Sequence, residues 1–112
     1  MKDQRQFVRK SLHCMVSIFN EEGISMGNMV DYSKGGIMVS SYRPIDVDVT
    51  YKVAMVDLPN NIGRKRTGYL TIKSVWSDQL MPSMFGTGFE LIEADEQAKA
   101  MFASYDEANL AS

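Results

Sequence analysis

The chain has 112 residues, 45% of them hydrophobic and 23% charged, with a formal net charge of −2. That length holds one core with little room for a second, the composition is far from that of a disordered chain, and the near-neutral balance argues against a broad basic face for duplex nucleic acid. A lone cysteine, Cys14, no apolar run near the roughly 18 residues of a spanning helix and a polar start together lead us to expect a cytoplasmic protein without membrane insertion.

Charge is unevenly spread: residues 1–10 carry Lys2, Arg5, Arg9 and Lys10 against Asp3, while residues 75–112 set seven acids against Lys99. Residues 1–11 have no convincing period and read as a flexible arm bearing Arg5 and Arg9. From Leu12 to Phe19 the residues alternate, with Leu12, Cys14, Val16 and Ile18 on one face, the period of a strand. Asn20–Gly23 turns the chain into a second run, Ile24–Tyr32, whose apolar face is expected to hold Ile24, Met26 and Val30. Lys34-Gly35-Gly36 is the next turn. Ile37–Ser40 forms a short third strand that ends at Tyr42-Arg43-Pro44, since proline cannot donate to a ladder.

The cleanest alternation follows, Val47, Val49, Tyr51, Val53 and Met55 facing the core and Asp48, Thr50 and Lys52 facing water. Pro59–Gly63 is turn-rich. Arg64–Trp76, with Leu70, Ile72 and Trp76 in phase, and Met84–Ile92, through Phe85, Thr87, Phe89 and Leu91, complete about six strands. The period then changes to 3.6: Ala98, Met101, Phe102 and Tyr105 form the stripe of a helix over 95–109, capped by Asp95 with Glu96 in its first turn. Short antiparallel strands joined by tight turns point to a closed barrel or a sandwich, with the helix over one opening or face.

Some residues invite a chemical reading. His13 and Cys14 are strand neighbours on opposite faces and no second histidine exists, so neither a metal site nor an activated nucleophile is expected. Without a carboxylate pair or catalytic triad, the chain reads as a non-enzyme with no cofactor. Tyr51, Tyr69 and Trp76 are expected in the core or at its rim, Arg64-Lys65-Arg66 as a solvated strand start, and Met26, Met29, Met38, Met81 and Met84 as core fillers, with Met81 and Met84 alternatively on an adaptable partner surface. Asp31 and Ser33 are two apart at a strand end and so share a face, while Gly35 and Gly36 permit positive φ and a close backbone approach.

Arg5-Gln6-Phe7-Val8-Arg9 and Asp31-Tyr32-Ser33-Lys34-Gly35-Gly36 read in order as RxxxR and DxSxxG. Together with Gly86-Thr87-Gly88-Phe89 and the terminal helix, they resemble the PilZ domain, a bacterial receptor module for cyclic di-GMP, across essentially the whole chain. The resemblance implies an all-β, six-stranded antiparallel PilZ-type barrel with a flexible N-terminal arm and a C-terminal helix. The single domain 1–112 would comprise arm 1–11, barrel 12–93 and helix 95–109. It further implies binding of cyclic di-GMP without catalysis, Arg5 and Arg9 holding phosphate and guanine and Asp31, Ser33 and Gly36, with Gly35 before it, holding a guanine base.

The chemistry agrees with those roles. Arginine pairs bidentately with O6 and N7 or with phosphate oxygens and stacks on a purine, and a carboxylate beside a hydroxyl complements the guanine donors. Ligand would order the arm and so present a new surface to an unidentified downstream effector protein. No DNA or RNA partner is expected; monomer or dimer, and one or two dinucleotides per chain, both remain open.

Overall fold

Alternating apolar residues build six strands and the 3.6-residue stripe builds one helix in the computed structural model, which describes residues 10–59 and 63–111. The strands are β1 (Lys10–Phe19), β2 (Ser25–Ser33), β3 (Gly36–Ser41), β4 (Thr50–Asp57), β5 (Arg66–Met81) and β6 (Met84–Ala94), followed by α1 (Glu96–Ala111). All neighbours are antiparallel in the order β1-β2-β3-β6-β5-β4, and pairing of β1 with β4 closes the ring. The barrel, not the sandwich, is therefore the solution. It is the PilZ-like architecture that the motifs imply.

The inward faces follow the alternation in most strands. Val16 and Ile18 of β1, Ile37 and Val39 of β3, Val53 and Met55 of β4, Leu70 and Ile72 of β5 and Phe89 of β6 are buried, with Leu12 and Cys14 packed against them. Burial raises the thiol pKa of Cys14, with Asp57 adding to the shift. Tyr51 meets Phe89 edge-on at 6.1 Å between ring centres, a core contact, whereas Tyr69 is exposed at the rim.

Four expectations need correction. β1 starts at Lys10, inside the region assigned to the arm, because Lys10 and Ser11 pair with Tyr32 and Asp31 of β2. In β2 the buried residues are Met29 and Tyr32, while Ile24 and Val30 are exposed. The β2–β3 register shifts between Met29 and Asp31, and one extra residue in a ladder reverses the face of everything after it.

β4 begins three residues late: Asp48 takes φ 67°, left-handed backbone that ends regular pairing, and Val47 and Val49 are left exposed. β5 runs on to Met81, through residues expected to be loop, by pairing with β6 to the tip of the hairpin. There Met81 is exposed while Met29 fills the core.

Asp95 caps α1 as expected, its Oδ1 accepting from the Ala98 amide at 2.8 Å, and the same oxygen accepts from the Tyr69 amide at 3.1 Å. One carboxylate thus fixes both the helix start and its seat on β5. A Cβ at Gly68 would come within 2.6 Å of the Ala98 Cα, so glycine lets the helix lie directly on the strand. Met101 and Tyr105 enter the core beneath it. Among the described residues no helix is long and apolar enough to cross a membrane.

Candidate functional site

Among the described residues two groups of polar side chains bear on function, and one of them is closed. Asp57, 1% exposed, accepts from Arg66 Nε at 3.0 Å and Nη2 at 2.7 Å and from the Tyr105 hydroxyl. Arg66 also lies over the Tyr105 ring, 5.8 Å from its centre. The hydrogen bond to Asp57 holds the guanidinium pKa above its ordinary value; burial first, then the hydrogen bond to Asp57, pushes the Tyr105 hydroxyl strongly upward.

Arg66 is therefore no part of a solvated basic stretch, although Arg64 and Lys65 are exposed. The cluster was not anticipated. Its one signal was Asp57 falling in phase with Val53 and Met55, an acid on the core face of a strand. With every group already paired to another, it is a clasp between barrel and helix rather than a ligand site.

The other place is the β2–β3 corner. Tyr32 points inward, 3% exposed, so its neighbours Asp31 and Ser33, both half-buried, share the outer face. Directly opposite partners in an antiparallel ladder lie on the same side of a sheet. Asp31 faces Ser11 of β1 and Met38 of β3, and Met38 in turn faces Gly88 of β6. An outer row therefore runs from Asp31 through Met38 to Gly88, across β2, β3 and β6. The half-buried Trp76 ends that row, its indole lying so close over Gly88 that a Cβ there would sit 2.1 Å from Nε1.

Gly36 occupies the corner for a reason other than the expected one. Its φ lies outside the left-handed region, and a Cβ would sit 2.1 Å from the Phe89 carbonyl oxygen. The close approach at this glycine is to β6. Gly35 supports the same contact, its carbonyl accepting from the Leu91 amide at 3.0 Å. Both glycines press the turn onto β6 and thereby set where Asp31 and Ser33 project.

Behind the motif, the Tyr32 hydroxyl donates to Asp106 Oδ1 at 2.9 Å and accepts from Asn109 Nδ2 at 3.1 Å. Burial, followed by the bond to Asp106, pushes this hydroxyl up to about 12. The residue between Asp31 and Ser33 is thus tied to the far half of α1. An open cavity of about 500 Å³ lies beside the corner, lined by Ser33 and Lys34, by Leu91 and Glu93 of β6 and by Lys99 and Phe102 of α1. A larger depression of about 710 Å³ over β4 and β5 includes no residue of DxSxxG.

Arg5 and Arg9 lie outside the described residues. The strand that follows them is described, and its first pairs, Lys10 with Tyr32 and Ser11 with Asp31, bring the start of β1 alongside DxSxxG. Among the described residues no three His, Cys, Asp or Glu side chains gather as metal ligands.

No known family profile matches the sequence, and no curated protein matches it. In fold the chain is similar to the Bacillus subtilis inhibitor of motility MotI/DgrA, with a TM-score of 0.67 and 17% identity over 99% of this chain and 53% of that one. The chain thus spans about half the length of that protein, and the likeness is one of fold.

Proposed function

We propose that this chain is a cyclic di-GMP receptor that acts as an adaptor and not as an enzyme. The observation that carries the reading is the β1–β2 register: Ser11 opposite Asp31 and Lys10 opposite Tyr32. That register sets the strand that follows RxxxR beside DxSxxG. Neither motif alone is a site; in this reading the two together supply cationic forks and guanine-complementary groups to one ligand.

In this reading Arg5 and Arg9 engage phosphate and the O6 and N7 edge of a guanine, while the Asp31 carboxylate accepts from guanine N1 and N2 and the Ser33 hydroxyl bonds beside it. Gly35 and Gly36 hold the corner tight against β6. Each charge-assisted bond contributes roughly 1.5–3 kcal/mol, so a few of them offset the ordering of the arm and leave about −8 kcal/mol, micromolar affinity. The output is a protein surface: the arm, laid over the Asp31 row, is what an effector reads.

The reading has support from the fold neighbour, which is described as an inhibitor of motility. Isothermal titration calorimetry is the test. Cyclic di-GMP should bind at micromolar protein, and Arg9→Ala and Asp31→Ala, both still folded by circular dichroism, should each weaken it by tenfold or more. A wild-type chain that gives no heat and no chemical-shift change at saturating dinucleotide rejects the proposal.

A further inference from the structure

The ring of strands does not close at every level. β4 accompanies β5 only to the Thr50–Lys73 pair, after which Asp48 and Val49 bond the backbone of Ser74. β5 nevertheless continues to Met81, and from there on its recorded partner is β6 alone. The β6 arm of the same hairpin is covered by β3 as far as Phe85. Among the described residues, then, Val75–Met81 shows a ladder edge that no other strand occupies.

Exposed edges normally carry lysine, proline or an inward charge, which stops a second strand from pairing with them. This one has a single charge, Asp78, and it leaves Val75, Leu80 and Met81 50%, 48% and 58% exposed. Its pairing with β6 is regular from Trp76 to Gln79, between two register shifts. An almost uncharged stretch of free ladder is what another strand needs.

We propose that this edge is a self-association site at which a second copy of the chain adds its own β5, antiparallel and about a two-fold axis. The sheet β3-β6-β5 would then run on into β5-β6-β3 of the second copy. Charge argues for this occupant. A net charge of −2 gives two copies little to repel each other with, and an identical edge brings the same unmet N–H and C=O groups, so one pairing satisfies both. Asp78 opposite its own counterpart would repel; the axis therefore passes beside Ser77 or Gln79. The strip is small against the roughly 1,600 Å² of a standard interface, which makes the dimer weak and concentration-dependent.

Sedimentation of the full chain from about 1 µM to about 1 mM, a range that brackets weak association, should show the mass rising toward that of a dimer. Leu80→Lys and Val75→Lys, separately, should hold the chain at monomer mass with an unchanged melting temperature. Hydrogen exchange on the wild-type chain needs no variant: amides from Trp76 to Leu80 should gain protection as concentration rises. A monomer throughout the range overturns the proposal. So does a dimer that survives both lysines with exchange in β5 unmoved, or an assembly that grows beyond two copies.

Discussion

Asp57 and Asp31 belong to the same barrel and end up with opposite uses. Asp57 lies on the inward face of β4 with Arg66 and Tyr105 closed around it, so its charge is neutralised inside the protein and joins helix to barrel. Asp31 lies on the outward face of β2, half-buried, beside Ser33, which lines an open cavity. The difference comes from which side of the pleat each carboxylate occupies. A carboxylate closed into the interior serves architecture; in the proposed reading, one on the outer face serves recognition.

The largest effect expected from breaking this contrast is at Asp57. Asp57→Ala strands the Arg66 guanidinium and leaves the Tyr105 hydroxyl without its acceptor, and denaturant unfolding should show a loss of about 3–5 kcal/mol. Asp31→Ala should cost less than about 1 kcal/mol in the same measurement while lowering dinucleotide affinity tenfold or more. Equal losses of stability at the two positions would erase the distinction.

Gly36→Ala lies between these cases. Its Cβ would press on the Phe89 carbonyl, so we expect a loss of about 1–3 kcal/mol together with weaker binding as the corner shifts. Loss of binding with stability intact would instead give Gly36 a direct contact with a base.

Tyr32→Phe is the mildest change. It removes the bonds to Asp106 and Asn109 for about 1 kcal/mol, and it should also alter the alkaline limb of stability. The folded hydroxyl is raised from 10.0 to about 12 by burial and the bond to Asp106. Its stabilisation is complete below pH 10 and is lost as pH rises through about 12, since the unfolded chain gives up the proton first. Urea melts of the phenylalanine variant should therefore decline less steeply across that window than those of the wild type.

Much of this was legible in the residues before any coordinates. Alternation in β1 and β6 and the stripe Ala98–Met101–Tyr105 point to the buried faces, since Val16, Ile18, Thr87 and Phe89 keep their period through the core, and Asp95 announces its cap. β2 did not read correctly, since a register shift between Met29 and Asp31 depends on pairing with another strand and leaves no mark in a single segment. Asp48 hid the true start of β4 by taking left-handed backbone, and the outer half of β5 lacked a clear period because its register to β6 shifts twice. The Asp57–Arg66 pair was obscured because each residue alone looks like a solvated charge at a strand end. At the candidate site the motif residues were visible, but the role of Gly36 was not, because the Phe89 backbone it touches is distant in sequence.

The central claim is that the RxxxR segment and DxSxxG form one dinucleotide site across the β1–β2 ladder. Backbone NMR titration with cyclic di-GMP tests it most directly. The account predicts saturable shifts in both residues 1–11 and residues 31–36 with one common affinity, absent in Arg5→Ala and Arg9→Ala. Signals from both segments that stay in place at saturating dinucleotide, or shifts in only one of them, would contradict it.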